Sequence, residues 1–257
     1  MILMERQLVF ITGASSGIGR ACAHAFARLG TNLLLCARRG ERLAGVQQEL
    51  TISHPDTKIH AFELDVRDRE AVIETLNALP EEWKKIDILI NNAGLSRGLD
   101  KLHEGNIDDW EEMLDTNLKG LLYVTRTVVP WMVRRNTGHI INIGSIAGHE
   151  VYPRGNVYCA SKFAVDAITK GLRLDLVDTP LRVTTIDPGL VETEFSEVRF
   201  HGDKARAEAV YKGFQPLSAD DIADSVIWSA TRPAHVQIAE IIIFPTAQAS
   251  AAVVHRA

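Results

Sequence analysis

Short apolar runs alternate with longer amphipathic segments along the whole chain. The short runs are rich in Leu and β-branched residues, a composition that predicts buried β-strands. These predicted strands cover residues 8–12, 32–37, 59–64, 86–90, 139–143, 182–186 and 240–244. The longer segments have apolar residues at helical spacing and predict helices at residues 17–29, 40–51, 68–79, 106–135, 157–177 and 218–230.

The alternation of strands and helices is typical of βα units, and it predicts an α/β fold built on a parallel sheet. No internal repeat, low-complexity tract or charge block divides the sequence, so we expect one domain over residues 1–257. Residues 188–215 form one long segment without a clear pattern. A connection of that length inside a compact domain is usually functional, and we expect it to be a substrate lid.

Composition narrows the class of partner. The 257 residues are 46% hydrophobic, which is enough to bury a sizeable core. A formal net charge of −5 argues against a nucleic-acid or anionic-membrane partner and favours a small molecule. No run reaches the ~20 apolar residues that a membrane-spanning helix needs. We therefore expect a cytoplasmic protein that binds neither nucleic acid nor membrane.

The cysteines point to the same compartment. Cys22, Cys36 and Cys159 form no CxxC motif and no ligand cluster with histidine. The first two lie in apolar runs, where cysteine usually behaves as a small hydrophobic residue. The sequence thus indicates a reducing compartment and predicts no metal site.

A glycine-rich turn follows the first predicted strand. "TGASSGIGR" places Gly13, Gly17 and Gly19 between that strand and an amphipathic helix. Glycines there let the backbone turn tightly and approach a ligand, while the free N–H groups of the helix start attract a phosphate. This context of strand, turn and helix predicts a dinucleotide site.

The end of the second strand indicates which dinucleotide binds. A carboxylate at this position would accept hydrogen bonds from the ribose of NAD, whereas an arginine pairs with the 2′-phosphate of NADP. The chain has Ala37 followed by Arg38 and Arg39. We therefore expect NADP(H), the alternative being that both arginines are simply solvated.

Tyr158 and Lys162 are four residues apart in a predicted helix, so their side chains share one face. Taken alone, the pair is also compatible with a solvated helix face. In a partly desolvated cleft, the lysine charge would stabilise the phenolate, and we expect it to lower the pKa of the phenol. Ser145 follows a strand, where its hydroxyl could polarise a substrate oxygen. Asn117 lies in the long predicted helix and indicates a local irregularity or a buried water.

Several motifs together resemble one known family. They are "TGASSGIG", "LDV" (64–66), "NNAG" (91–94), "TN" (116–117), "NIGSIAG" (142–148), "YCASK" (158–162) and "DPGLVET" (187–193). In this order they resemble the short-chain dehydrogenase/reductase family, across nearly the whole chain. Within it the chain is similar to the NADP-dependent 3-hydroxy acid dehydrogenases, which act on serine, L-allo-threonine and 3-hydroxypropionate and run in reverse as malonic semialdehyde reductases.

The resemblance implies a fold and specific roles. It implies a Rossmann-type doubly wound sheet of seven parallel strands in the order 3-2-1-4-5-6-7 with helices on both faces, and a homotetramer. Tyr158 would be the general acid and base, Lys162 its partner and ribose anchor, Ser145 the donor to the substrate oxygen, and Asn117 the holder of a relay water. The implied cofactor contacts are Gly13, Ser15, Ser16, Gly17, Ile18, Gly19, Arg38, Arg39, Asp65, Val66, Asn91, Asn92, Ala93, Gly94, Tyr158, Lys162, Pro188, Gly189, Val191 and Thr193.

The implied substrate is a short acid, so a cation should face its carboxylate near Tyr158. Arg154, four residues before Tyr158, is the first candidate, and Arg199 in the lid segment is the second. Two alternatives remain: a broad-specificity NADPH carbonyl reductase for neutral ketones or aldehydes, and a regulator that binds dinucleotide without turnover. The set of Ser145, Tyr158 and Lys162 counts against the regulator, which has no chemical need for a tuned phenol.

Overall fold

A seven-stranded parallel sheet forms the centre of the computed structural model, which describes Met4 and residues 6–257. The strand order is β3-β2-β1-β4-β5-β6-β7, which confirms the order implied by the sequence. The strands are β1 Leu8–Thr12, β2 Asn32–Ala37, β3 Ile59–Glu63, β4 Ile88–Asn91, β5 His139–Ile143, β6 Arg182–Pro188 and β7 Glu240–Ile243.

Helices cover both faces of the sheet. They are α1 Gly17–Ala27, α2 Gly40–Ser53, α3 Arg69–Ala78, α4 Ile107–Leu114, α5 Leu121–Arg135, α6 Asn156–Asp175, α7 Phe195–Arg199, α8 Lys204–Ala209 and α9 Ala219–Ala230. The helix predicted over 106–135 is α4 and α5 joined by a π-helical segment, Asp115–Gly120. This segment is the irregularity that Asn117 indicated. The expectation of a patternless segment at 188–215 is wrong in part, because that segment contains α7 and α8.

Two apolar cores lie on opposite faces of the sheet. Along β1, Val9 and Ile11 face the core formed with α1, α2 and α9, and Phe10 faces the other core, to which α3 and α5 contribute. All five residues of β1 are buried. Strands covered on both faces are apolar at most positions, which explains why they stand out in the sequence as nearly continuous apolar runs.

The carboxyl ends of the parallel strands meet at one edge of the sheet, as parallel topology requires. Thr12, Ala37, Asn91, Ile143 and Pro188 are the last residues of their strands and all lie along this edge. Among the described residues, no helix is long and apolar enough to cross a membrane.

One buried histidine makes the stability of the fold depend on pH. His139 opens β5 with 2% of its surface exposed, and its Nε2 lies 2.7 Å from Oγ1 of Thr184. That hydroxyl donates its proton to the carbonyl of Ile238, so Nε2 must be the donor to Thr184. Nδ1 is buried without a partner among the described residues. Burial, reinforced by the charge of Arg182, lowers the pKa of His139 to about 3.

The depressed pKa of His139 predicts a loss of stability in acid. Below pH ~6.5 the unfolded chain takes up a proton that the folded chain does not bind until about pH 3. This group alone should therefore remove about 1.4 kcal/mol of unfolding free energy per pH unit in that window. Urea unfolding between pH 6.5 and 4.5 should show a shallower decline for His139→Gln than for the native chain. His103→Gln, at an exposed position, serves as the control and should decline like the native chain.

Candidate active site

The strand ends open into one large cleft of about 700 Å³. Its wall is formed by the glycine-rich turn after β1, the ends of β2 to β6, the start of α6 and much of the 188–215 segment. Of the predicted cofactor contacts, only Gly19 and Asn91 do not line it. The cleft therefore brings together predicted cofactor contacts that are as much as 180 positions apart in the sequence, the span from Gly13 to Thr193.

The turn after β1 is folded tightly against the loop after β4. Gly13 has φ +66°, and a Cβ on it would lie 2.9 Å from Cα of Ala93. The side chain of Asn92 donates to the carbonyls of Thr12 and Gly13 at 2.9 and 3.2 Å and fixes this approach. The N-cap of α1, Ser16, makes no side-chain capping bond. The first N–H groups of this 11-residue helix are thus available to a phosphate at the cleft wall.

Gly19 and Asn91 support the cleft from behind, which corrects the roles expected for them. A Cβ on Gly19 would lie 2.5 Å from the carbonyl of Gly13, so this glycine permits the helix to pack on the turn. Asn91 donates to Thr125 and Asn142 at 3.0 and 2.9 Å inside the core. Neither residue reaches the cleft surface.

The two arginines after β2 differ in their surroundings. Arg39 donates to Oγ of Ser16 at 2.6 Å and pairs with Glu194 at 2.9 Å, so it lies beside the glycine-rich turn. Arg38 is more exposed and pairs with Glu112 at 3.1 Å. Burial alone would raise the pKa of Glu194, but hydrogen bonds and charge from arginine hold it below its usual range. Both guanidinium groups line the cleft.

Asp65 follows β3 and lies at the cleft wall beside Val66. Its carboxylate accepts from Nε of Arg67 at 2.9 Å and from Nη2 at 2.5 Å. Burial would raise the pKa of Asp65, yet the bonds and charge of Arg67 outweigh it and lower the pKa. The carboxylate therefore stays ionised and fixed in direction.

Tyr158 and Lys162 lie in the first two turns of α6, and both are buried at the cleft. Nζ of Lys162 donates to the carbonyl of Ile143 at 2.9 Å and lies 5.9 Å from the centre of the Tyr158 ring. Burial lowers the pKa of Lys162 to about 8, with Asp187 opposing the shift. Burial raises the pKa of Tyr158 above its ordinary value. Burial is the largest effect on the phenol in this structure, and the lowering of its pKa by Lys162 stays a prediction for the cleft with bound oxidised cofactor.

Ser145 is held rigidly at the end of β5. Its backbone N–H donates to Oδ1 of Asp187 at 3.0 Å, and its hydroxyl accepts from the N–H of Ala147 at 3.1 Å. The second bond makes Ser145 the cap of a 3-10 turn, Ile146–Gly148. Ser145 and Arg199 both act to lower the pKa of Tyr158 against the effect of burial. The serine hydroxyl thus faces the phenol across the cleft.

Asn117 lies in the π-helical segment and is fully buried. Its Nδ2 donates to the carbonyl of Leu95 at 2.8 Å and to Oγ of Ser161 at 3.0 Å, and its Oδ1 accepts from the N–H of Leu95 at 2.8 Å. These protein partners occupy the side-chain amide, and Asn117 does not line the cleft. The side chain therefore fixes the loop after β4, and the predicted role of Asn117 in holding a relay water stays a prediction.

The structure reverses the expected order of the two substrate arginines. Arg154 is exposed, has φ +67° in the turn before α6 and lies outside the cleft. Its spacing of four residues from Tyr158 therefore does not bring it into the cleft, because Arg154 lies in the turn before α6 and not on the helix. Arg199, at the end of α7, lines the cleft instead.

Arg199 is positioned by polar and aromatic neighbours. Its Nε donates to Oγ of Ser96 and its Nη2 to the hydroxyl of Tyr152, both at 3.0 Å. Its Cζ lies 5.4 Å from the ring centre of Tyr158 and 5.2 Å from that of Phe195. No carboxylate of the described residues lies within ion-pair distance of it. It is thus a half-buried cation beside the phenol, and such a group favours an anionic ligand.

Sequence reasoning missed several residues of the cleft. Tyr152 and Phe195 lie in irregular or short elements with no periodic signal. The last residues of the chain also contribute: Gln248 accepts from the N–H of Leu190 at 2.8 Å, and Arg256 donates to the carbonyl of Val210 at 2.9 Å. The C-terminal segment thus braces the 188–215 segment, and no motif in the sequence signals this.

Comparison with known proteins places this site in context. Residues 7–204 match the family model described as short chain dehydrogenase. An NADP-dependent 3-hydroxy acid dehydrogenase of Escherichia coli strain K12 is 46% identical over 251 residues, which are 97% of this chain and 99% of that protein. An enzyme of the same name from Schizosaccharomyces pombe is 43% identical over 257 residues, covering 100% of this chain and 99% of the relative.

Two solved structures are similar to this chain over nearly its whole length. The closed form of a serine dehydrogenase in complex with NADP+ superposes with a TM-score of 0.92 at 46% identity, covering 98% of this chain and all of that one. Serine dehydrogenase from Escherichia coli superposes with a TM-score of 0.82 at 42% identity, covering 95% of this chain and all of that one.

The tight contact at Gly13 predicts that a methyl group there is harmful. Gly13→Ala should destabilise the protein by about 1–3 kcal/mol, because the new Cβ needs an unfavourable φ and collides with the Ala93 backbone. Gly45→Ala is the matched control, since its Cβ meets nothing within 4 Å on the exposed face of α2. That change should stabilise the chain by about 0.5–1 kcal/mol. Urea unfolding of both variants measures the contrast, and equal effects would contradict this account of Gly13.

Proposed function

The chain belongs to the short-chain dehydrogenase family, and on that premise we propose that it transfers a hydride between NADP(H) and the hydroxyl-bearing carbon of a short 3-hydroxy acid. The observation that carries the proposal is the placement of Arg199 beside Tyr158 in the cleft. A general acid and base next to an unpaired cation suits a substrate with a hydroxyl at one end and a carboxylate at the other. Serine, L-allo-threonine and 3-hydroxypropionate have this form, and in the reverse direction malonic semialdehyde would be reduced to 3-hydroxypropionate.

The cleft suits NADP(H). Three features of the cleft wall form a cradle for phosphates. They are the tight turn at Gly13, the start of α1 without a side-chain cap, and the guanidinium of Arg39 beside Ser16. Arg38 and Arg39 would hold the 2′-phosphate, while Asp65 would face the adenine and Thr193 the pyrophosphate. When bound, the nicotinamide ring supplies the site that gives or takes the hydride.

The protein's own residues handle the proton and the developing charge. Tyr158 takes the hydroxyl proton of the substrate during oxidation and returns it during reduction. Ser145 donates a hydrogen bond to the substrate oxygen and holds it against the phenol. Lys162 lies behind the phenol and favours the phenolate form. Burial keeps the Tyr158 phenol neutral, whereas Lys162, with a pKa of about 8, is still mostly protonated at pH 7 and supplies positive charge beside the phenol.

Arg199 orients the substrate. Its Nε and Nη2 are used by Ser96 and Tyr152, which leaves Nη1 free of described partners to bind a carboxylate. Stacking against Phe195 fixes the plane of the guanidinium. A carboxylate held there points the hydroxyl-bearing carbon towards Ser145 and Tyr158, and misplacement by an ångström costs about 100-fold in rate.

The second candidate is a broad carbonyl reductase for neutral ketones or aldehydes. The apolar side of the cleft favours it, because Leu95, Leu99, Val198 and Phe200 would accept a bulky uncharged group. The third reading, a regulator without turnover, gains no support from a cleft that places Ser145, Tyr158 and Lys162 together.

We also propose that the chain is a single cytoplasmic domain that assembles into a homotetramer. One continuous sheet supports a single domain, and three unpaired buried cysteines support a cytoplasmic location. Exposed apolar side chains on α5 and α6, including Leu122, Phe163 and Leu174, support assembly into a homotetramer.

The preference for NADP should depend on Arg39. We expect kcat/KM with NADP to exceed that with NAD by about 10-fold or more, and Arg39→Ala to remove most of this ratio because the charge-assisted bond to the 2′-phosphate is lost. Arg42→Ala is the matched control: it breaks the other ion pair of Glu194, at 2.6 Å, without altering the cleft wall. Unchanged discrimination in Arg39→Ala would mean that the phosphate is bound elsewhere.

The role of Arg199 can be tested with a matched pair of substrates. Arg199→Met keeps the length of the side chain and removes its charge. We expect KM for 3-hydroxypropionate to rise roughly 10- to 100-fold while KM for its neutral methyl ester barely changes. NADP reduction followed at 340 nm gives both values.

Two further variants separate orientation from chemistry. Tyr158→Phe should lower kcat at least ~100-fold on the acid and on the ester, because it removes the proton-transfer group. Arg154→Ala, at an exposed site outside the cleft, should resemble the native chain on both. If Arg199→Met lost activity equally on the acid and on the ester, this arginine would support the fold. Strong activity of the native chain on neutral ketones would favour the carbonyl reductase.

A further inference from the structure

A cluster of three potential metal ligands lies behind the catalytic serine. His149 follows the 3-10 turn that Ser145 caps, Asp187 lies near the end of β6, and Glu240 begins β7. One ligand atom from each residue lies within 4.8 Å of the others. The three residues are far apart in the sequence, so no spacing motif reveals them. The proposed reaction uses none of them as a proton donor, acceptor or ligand.

The distances in this cluster match a tetrahedral metal site. Nε2 of His149 lies 3.1 Å from Oε1 of Glu240 and 3.4 Å from Oδ2 of Asp187. Zinc binds nitrogen and carboxylate oxygen at about 2.0–2.2 Å, so two ligand atoms of a tetrahedral site are separated by about 3.3–3.6 Å. The imidazole nitrogen is thus close to ligand separation from each of the two carboxylate oxygens, and the two carboxylate oxygens lie within 4.8 Å of each other.

Hydrogen bonding within the protein leaves these atoms unused. Asp187 is 1% exposed, and its Oδ1 accepts from Ser145 and from Thr185, both at 3.0 Å. Its Oδ2 and the Nε2 of His149 are buried and lack a hydrogen-bond partner among the described residues. An imidazole Nε2 carries at most one proton, so it cannot satisfy two carboxylates at once. A buried carboxylate oxygen without a protein partner is stabilised by a bound cation or a bound water, and the charge of the carboxylate favours the cation.

The nearby lysines do not supply that cation. Lys162 and Lys170 both interact electrostatically with Asp187. Lys162 donates to the carbonyl of Ile143 at 2.9 Å, and Lys170 pairs with Asp166 at 2.7 Å. Neither ammonium forms an ion pair with the cluster among the described residues.

From this geometry we propose that His149, Asp187 and Glu240 bind one divalent transition-metal ion, with Zn²⁺ as the best match. Three ligands of nitrogen and oxygen type leave a fourth position for water. The side chains of His149 and Glu240 are 18% and 30% exposed, which gives an ion a path from solvent to the buried Asp187. Asp187 would bind the ion through Oδ2 while its Oδ1 accepts from the N–H of Ser145. Only the Asp187 carboxylate would therefore separate the ion from Ser145.

Zinc titration of the metal-stripped, untagged, full-length chain tests the proposal. Calorimetry at pH 7.5 should show one strong site per chain, and affinity should fall at lower pH because the imidazole must be deprotonated to bind. His149→Gln and Glu240→Gln lie on different elements and keep similar side-chain volumes. Each should weaken Zn²⁺ binding by about 10-fold or more. Asp187 is left intact because it also holds Ser145.

His201→Gln is the matched control. Nε2 of His201 lies 3.1 Å from the carboxylate of Asp109, the same distance as between His149 and Glu240. His201 has no second carboxylate that would complete a three-ligand site among the described residues. Zn²⁺ binding should be unchanged in it. Co²⁺ should give a visible absorption band in the native chain that is lost in Glu240→Gln but kept in the control.

Two outcomes would overturn the proposal. Equal Zn²⁺ affinity in the native chain, His149→Gln and Glu240→Gln would place the metal elsewhere. Absence of a strong site, together with nuclear magnetic resonance evidence that His149 is doubly protonated at neutral pH, would make the cluster an ion pair of imidazolium with two carboxylates.

Discussion

Both faces of the sheet are covered by helices, and this burial determines where chemistry can occur. A polar group inside the two cores must find a partner there, as Asn91 does with Thr125 and Asn142. Only at the carboxyl ends of the strands can backbone and side-chain groups face a ligand. The glycine-rich turn, Ser145 and the 188–215 segment all follow strand ends for this reason. The cleft is therefore a consequence of the covered sheet.

Burial also sets the ionisation of the candidate catalytic groups. Desolvation lowers the pKa of Lys162 to about 8 and raises the pKa of Tyr158, so the two values move apart. Both shifts disfavour the charged form, so the phenol needs added positive charge in the cleft before it can act as a base. The stretch of α6 that carries them is anchored by the bond from Lys162 to Ile143, which ties the helix to the end of β5. The strand that positions Ser145 thus positions the lysine as well.

The sequence predicted most of the fold because each element carries a local signal. Continuous apolar runs marked the strands, and the strand order followed from a family resemblance spread over the whole chain. The site was less predictable where closeness in the sequence does not correspond to closeness in the structure. Arg154 is four residues from Tyr158, but it lies in the turn before α6 and outside the cleft. Arg199 reaches the phenol only through α7, a helix of five residues that is too short to leave a periodic signal.

The segment 188–215 links the two ends of the cleft. Near its start, Glu194 pairs with Arg39, next to the turn that would bind phosphate. Five residues later, Arg199 contacts Ser96 and the ring of Tyr158 at the reacting end. Glu194 is the N-cap of α7 and Arg199 is its last residue, so one short helix carries both a partner of the phosphate-binding side and the cation beside the phenol. The spacing of five residues along α7 thus sets how far apart these two groups lie in the cleft.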